Sequence, residues 1–473
     1  MQTPPSITLF YIYIIYFLTV YFYLQLNYKN KKRKLMKPKF IKSNNFEFKS
    51  KEKIKKYIKI LKSNKEIIKI NKLNEFNKDF NENFQYLANG VFQAEGHIGG
   101  YFLNKNELDF RPLVFIGLTG NTESLKFFVS LNKLFRNKLR YSIEKIPSGL
   151  FFIKLISTDW EFILNNFIPY FDKVYGDKLK GLKRLEKLYL LLSQLKNNTK
   201  YNTYSKNNIR EKIILLGYNL IDNSKRKIPI SKYFSLFNIT PSKNIDFFKI
   251  EENKNNINNY FLLGFILGDG NIYVRIRKTN NLPWFIPSVR IGQKFTKDNI
   301  ILLNNIKNTL KIEGINSNVS HIGHLYVISI NQINNVEKLS KWLPDLPYFW
   351  FWKKNAYLLL KKALLLMKLK ATYWQKSKEV ILKLIYKISN YNKPFNYWLK
   401  IIRHFYSSKI KDLYYISLWR EKAWSVKLPI KIKPKVKFFF FKTYNSKDNA
   451  LIEAKKYRNQ KLDQWLKENK LIK

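Results

Sequence analysis

The sequence predicts an α+β protein built from two similar halves, each a sheet with helices on one face and an acid-tipped helix leading into it. Three observations carry this. An apolar run with small residues four apart, closed by a carboxylate and a glycine, occurs twice. The copies are Leu87-Ala88-Asn89-Gly90-Val91-Phe92-Gln93-Ala94-Glu95-Gly96 and Phe261-Leu262-Leu263-Gly264-Phe265-Ile266-Leu267-Gly268-Asp269-Gly270. Strand-like runs repeat behind them, Val114-Phe115-Ile116-Gly117 answering Val289-Arg290-Ile291-Gly292. The spacing also agrees: Glu95 and Asp269 are offset by 174, and the strand runs and the helical runs Leu188–Leu192 and Ala363–Met367 by 175. Three anchors within one residue of each other indicate an internal duplication.

The elements follow in order. Residues 1–28 carry no charged side chain, and Ile7 to Leu26 is almost wholly apolar and aromatic, long enough to span a bilayer. The basic run Lys29 to Lys39 would then stay on the inside face. The segment reads as a membrane span, as a membrane segment left from an upstream reading frame, or as an aromatic β-like run with no membrane role. A basic linker fills 29–79, with one helix near Ile54 to Ile70. The first half occupies 80–196. A helix ends at Glu95, strands cover Ile98 to Phe102 and Leu113 to Leu118, and a helix capped by Asn121 covers Glu123 to Phe135. Tyr141 to Ile146 and Leu150 to Ile156 form a hairpin across Pro147-Ser148-Gly149. Helices at Asp159 to Phe167 and Leu179 to Leu195 complete the half. Residues 197–250, rich in Asn and Lys, read as a linker. The second half, 251–370, repeats the order, and 371–406 reads as a helical linker. The remainder, 407–473, reads as three strands and a long helix capped by Asn445 or Ser446.

Composition narrows the function. The chain has 87 Lys and Arg against 33 Asp and Glu, a net charge of +54. That points to a polyanionic partner, nucleic acid first and a membrane surface second. Heavy use of Lys, Asn, Ile, Phe and Tyr is also what AT-rich coding imposes, so part of the charge belongs to solvated faces. Cysteine is absent, which excludes disulfides, thiolate zinc sites and cysteine nucleophiles. The four histidines form no metal-binding spacing. Carboxylates with a hard cation are the chemistry that remains.

The repeated stretches are where that chemistry falls. Gly264 and Gly268 share one helix face, as do Gly90 and Ala94. Glycine inside a helix costs about 1 kcal/mol relative to alanine. Its use here needs a packing reason, and mutual contact of the two helices supplies one. That contact would bring Glu95 and Asp269 together at two negative helix ends, where a divalent cation relieves the repulsion.

With these motifs the sequence resembles the two-motif LAGLIDADG homing endonucleases encoded in organelle introns. The resemblance rests on residues 87–96 and 262–270 and covers about 80 to 370. It implies pseudo-symmetric αββαββα halves forming a DNA-binding saddle, and a monomer cutting a long double-stranded site with Mg²⁺ or another divalent cation. Glu95 and Asp269 would bind the metal. It implies intron mobility and a mitochondrial location. Relatives that only assist splicing leave a second reading, an RNA-binding maturase acting on its own intron. A third reading is a membrane-anchored basic scaffold using residues 7–26. The family also tends to place a basic residue before the last helix of each half. Lys178 fits, and the 175 offset carries it to Lys353, with Lys354 beside it.

Strand periodicity puts Tyr273, Arg275 and Arg277 on one side of a strand. With Arg290 and Gln293 they are candidates for DNA contact in the second half. Arg111 and Thr119 are the candidates in the first. The tail resembles a small AP2-like DNA-binding module through Trp424, its basic third strand and its Ala/Tyr-Arg helix, which would place Arg420 and Trp424 near DNA.

Overall fold

In a computed structural model the chain is described over residues 48, 50–63, 78–103, 108–197, 203–221, 228–241, 256–279, 282–344, 353–368, 375–388, 393–409, 415–428, 432, 434, 436–469 and 471. The apolar stretch Ile7 to Leu26 lies outside these residues. Among the described residues, no helix is long and apolar enough to cross a membrane.

The first described helix, α1 (Lys51–Lys62), starts at Ser50, whose hydroxyl accepts from the Lys53 amide at 3.3 Å. Its lysines stay out while Ile54, Ile58 and Leu61 go in. The first half follows as α2 (Lys78–Glu95), β1 (Gly96–Phe102), β2 (Phe110–Thr119), α3 (Thr122–Leu134), β3 (Arg140–Lys145) and β4 (Phe151–Ser157). Helix α1 packs on α3. Asn121 caps α3, as the sequence predicts, and Ser124 completes a reciprocal capping box with it. A helix over 160–170, α4, has a π-wound middle turn at Ile163–Phe167. Then comes α5 (Gly176–Asn197).

The second half repeats the plan: α8 (Asn259–Asp269), β5 (Gly270–Thr279), β6 (Leu282–Lys294), α9 (Lys297–Ile312), β7 (Asn318–Ile322), β8 (Leu325–Asn331), α10 (Ile333–Trp342) and α11 (Lys354–Lys368). Both sheets are four-stranded and antiparallel with the same order, β1-β2-β4-β3 and β5-β6-β8-β7. The alternating burial of β4, with Phe151, Ile153 and Leu155 inside, is the strand pattern that binds each sheet to its helices.

The stretch 197–250, expected as a linker, contains two helices, α6 (Thr203–Leu220) and α7 (Ile230–Leu236). Their polar composition hides an apolar set, Ile213, Ile214, Leu220 and Phe234, that is buried. Helix α6 packs on α5 and on the edge strand β1. In the second half, α12 (Gln375–Ile388) packs on α11 and on the edge strand β5 in the same way. The repeat therefore runs one helix beyond the last repeated run seen in the sequence. A further helix, α13 (Phe395–Lys409), packs on α12 and β6.

The tail forms β9 (Ile416–Trp419), β10 (Ala423–Lys427) and β11 (Val436–Phe440), in sheet order β11-β10-β9, and α14 (Lys447–Glu468). Ser446 caps α14 by accepting from Asn449 at 3.0 Å.

Candidate active site

Helices α2 and α8 pack side by side with almost no space between their backbones. A β-carbon on Gly90 would overlap the Phe261 carbonyl and lie 2.8 Å from the Phe265 nitrogen. One on Gly264 would overlap the Leu87 carbonyl and lie 2.9 Å from the Val91 nitrogen. Gly268 faces the Ala94 methyl group. The four small residues are the contact itself, as their spacing predicts.

This contact carries Glu95 and Asp269 to one place. A β-carbon on Gly268 would stand 3.1 Å from Glu95 Cγ. Burial raises the Glu95 carboxyl above its usual range, against the pull of Lys353 and Lys178. Burial, with the Glu95 charge added, pushes Asp269 up to about 7, while Gln293 and both lysines oppose the rise. Two carboxylates crowded at the negative ends of two helices make an environment short of positive charge.

Lys178 and Lys353 supply part of it. The Lys353 ammonium donates to the carbonyls of Ile266 at 2.9 Å, Gly268 at 2.8 Å and Gly270 at 2.5 Å. That of Lys178 donates to the Gly96 carbonyl. Each lysine thus caps the end of a motif helix, at the positions the 175 offset marks. Burial pulls Lys353 down to about 8 and also lowers Lys178, against the attraction of both carboxylates. The Lys354 side chain lies outside the described residues.

Gln293 corrects an expectation. It was placed among the DNA-contact residues, yet its amide donates to Asp269 Oδ2. The reason is parity. Arg290 and Gln293 are three residues apart on β6, so they point to opposite faces, and Gln293 lies on the side of the buried Ile291. In the first half, Leu118 holds the corresponding place, counting from the paired glycines Gly117 and Gly292, and it is buried.

Two residues that sequence reasoning missed hold the first half of the site together. Asn89 and Gln93 are buried in α2. Asn89 donates to the Tyr170 carbonyl at 2.8 Å and accepts from the Lys173 amide at 3.0 Å. Gln93 accepts from the Tyr175 amide at 2.8 Å. They fix the loop that delivers Lys178. Their signal was two amides in an otherwise apolar run. The halves are also pinned across their junction, where Lys180 pairs with Asp298 at 2.5 Å and the Tyr175 ring meets Phe261 edge-on.

The sheet faces turned away from the motif helices hold the other candidates. In the second half, Tyr273, Arg275 and Arg277 share a face with Ser288, Ile286 and Trp284 of β6. The Arg290 guanidinium lies 5.2 Å from the centre of the Tyr273 ring. Among the described residues, Arg290 Nε and Tyr273 Oη are buried with no hydrogen-bond partner. In the first half, Arg111 and Thr119 are exposed on the corresponding face, Arg111 beside Tyr101. In the tail, Trp424 lies on the helix side of its sheet and donates through its indole N–H to the Lys447 carbonyl at 2.9 Å. It is half-buried and lies on the opposite face of the sheet from Trp419. Arg420 sits in the β9–β10 turn, 4.9 Å from the centre of the Trp419 ring.

The donor set suits a hard cation. Among the described residues no three His, Cys, Asp or Glu side chains gather into a metal cluster. A cation here would rest on two carboxylates and complete its shell with water or phosphate oxygens, the habit of Mg²⁺.

Two antiparallel sheets of one topology, joined through acid-tipped helices in contact, define a duplicated α+β protein with its charged centre on the pseudo-symmetry axis. Residues 262–364 match the LAGLIDADG endonuclease family, and the chain is similar to its two-motif homing endonucleases. The I-LtrWI LAGLIDADG homing endonuclease bound to target DNA aligns with 66% of this chain and 99% of its own, at 19% identity and a TM-score of 0.50. The I-SmaMI LAGLIDADG homing endonuclease bound to cleaved DNA aligns with 64% and 96%, at 18% identity and a TM-score of 0.49. I-SmaMI bound to uncleaved DNA with calcium ions aligns with 63% and 97%, at 18% identity and a TM-score of 0.48. No curated protein sequence matches the chain.

Proposed function

We propose that the chain is a site-specific double-strand DNA endonuclease that hydrolyses phosphodiester bonds and promotes the mobility of its own intron in the mitochondrion, acting as a monomer. The observation that carries this reading is the convergence of Glu95 and Asp269, both raised by burial, at the ends of two helices in backbone contact. The similar I-LtrWI is bound to its target DNA.

Glu95 and Asp269 would hold Mg²⁺ or another divalent cation, which when bound activates water and stabilises the leaving oxygen. The rest of the work falls to the chain. Gln293 fixes one carboxylate oxygen of Asp269, Oδ2. Lys178 and Lys353 place positive charge beside the carboxylates, where a scissile phosphate would enter. Arg275, Arg277 and Arg290, with the weaker set Arg111 and Thr119, face the duplex. Arginine there reads guanine edges or grips phosphate.

The test uses Glu95→Gln and Asp269→Asn on DNA spanning the intron-free insertion site. Each variant is expected to lose double-strand cleavage by at least about a thousandfold, a loss of the size expected when electrostatic stabilisation of the transition state is removed. Duplex affinity should stay within about threefold, since few phosphate contacts change. Cutting by both variants at the wild-type rate would sink the proposal.

A further inference from the structure

The tail sheet has two unlike faces. Trp424, Val426 and Phe439 point toward α14, where Phe439 meets the Tyr457 ring at 5.6 Å. The opposite face pairs Ala423 with Phe440 and Trp419, and Ser425 with Phe438 and Ser417. Ala423 and Ser425 are buried, while Phe438 and Phe440 remain 39% and 44% exposed. Small residues on the central strand form a floor, and rings stand on both edge strands. Trp419 lies 5.0 Å from Phe438 and 6.1 Å from Phe440 by ring centres. The Arg420 guanidinium lies over the Trp419 ring. Arg420 and Glu421 hold φ of +46° and +54° in the turn, a conformation that side chains rarely adopt without need.

We infer that this face is a stacking platform for the unpaired bases of single-stranded RNA. Three observations select that occupant. From Ile416 to Lys442 there are eight Lys or Arg and one acid, so the segment that builds this sheet has the charge to attract a polyanion. The face itself offers ring planes and few groups able to read base edges, since its serines are hydrogen-bonded to each other at 2.8 Å. Rings of this kind bind bases by stacking, which a paired duplex hides. The chain's proposed DNA partner is a duplex, so RNA is the source of unpaired bases. The choice of RNA over single-stranded DNA rests on the proposed function, while the inference uses none of the residues of the cleavage site.

The experiment measures fluorescence anisotropy of the full-length protein at one salt concentration. The probes are a single-stranded RNA of about 12 nucleotides, single-stranded DNA of the same sequence, and duplex DNA, sized to a stacking site. The double variant Phe438→Ala/Phe440→Ala removes exposed rings and no charge. RNA affinity is expected to fall at least about tenfold, with duplex affinity unchanged. A second variant, Phe438→Tyr/Phe440→Tyr, keeps the rings and should keep RNA affinity, which separates stacking from misfolding. Unchanged RNA affinity in the alanine variant overturns the inference. So does an equal loss for duplex DNA, which would make the face a groove reader, or tighter binding of single-stranded DNA than of RNA.

Discussion

The two halves share a plan and differ in what they do with it. Their motif helices end in one acid each, their sheets run in the same order, and a lysine caps each helix end. Away from that centre they diverge. The first half ties its connecting loop to the motif helix through Asn89 and Gln93. The second has Leu263 and Leu267 at the matching places, both buried. On the outer face of the first sheet, Lys154 is paired with Glu144 at 2.7 Å and sits over Phe115, which stacks on His97. The second sheet offers Tyr273, Arg275, Arg277 and Arg290 instead. Duplication preserved the groups on the pseudo-axis, where each half needs the other. The flanks carry no such mutual requirement, and there the two sheets differ.

The contact between motif helices is the part that should tolerate least. Gly90→Val and Gly264→Val each drive a side chain into the partner's backbone, so each should cost at least about 3 kcal/mol or prevent folding. Thermal denaturation of both variants checks this. A large loss from one and none from the other would break the symmetry of the pair.

A smaller effect tests the asymmetry at the carboxylates. Gln293→Leu makes the second half resemble the first. It should slow cleavage of one DNA strand by about tenfold and leave the other near wild type, because only Asp269 loses a partner. Strand-specific end labelling reads the outcome, and equal slowing of both strands contradicts the comparison.

The smallest effect concerns the helices that cover the edge strands. Helix α6 buries Glu211, whereas α12 buries Lys378, whose ammonium donates to the Pro283 carbonyl at 2.9 Å. Burial lowers Lys378 to about 8. Its folded value lies below its unfolded one, so the unfolded chain binds more protons between about pH 8 and pH 10.4. Stability from this group therefore rises with pH across that window, by at most about 1.4 kcal/mol per pH unit. Lys353 is lowered to about 8 by burial and adds a similar slope. Lys378→Met should lower the slope in urea titrations from pH 8 to 10 without abolishing it, since Lys353 and Lys178 are also lowered by burial. An unchanged slope would mean that Lys378 is solvated.

Much of this is legible in the sequence. Glycine spacing announced the helix contact, and the constant offset carried Lys178 onto Lys353. These are local or periodic signals, which a chain displays openly. The misses have physical reasons. Asn89 and Gln93 act on a loop about 80 residues away, and nothing near them in sequence marks the target. Helices α6 and α7 were hidden because Lys and Asn dominate their composition while a few apolar residues do the packing. The place of Gln293 was legible as well, since parity counted from Arg290 puts it on the inner side of the sheet.

The cap on the second motif helix limits what Lys353 can do. A protonated lysine has three N–H bonds, and Ile266, Gly268 and Gly270 accept all three. With every hydrogen engaged, this ammonium has none left to hand to a leaving group or to swing toward a phosphate. It is a stationary charge, set in place when the chain folds, and in the proposed reaction its influence on a phosphate would be exerted through the field alone.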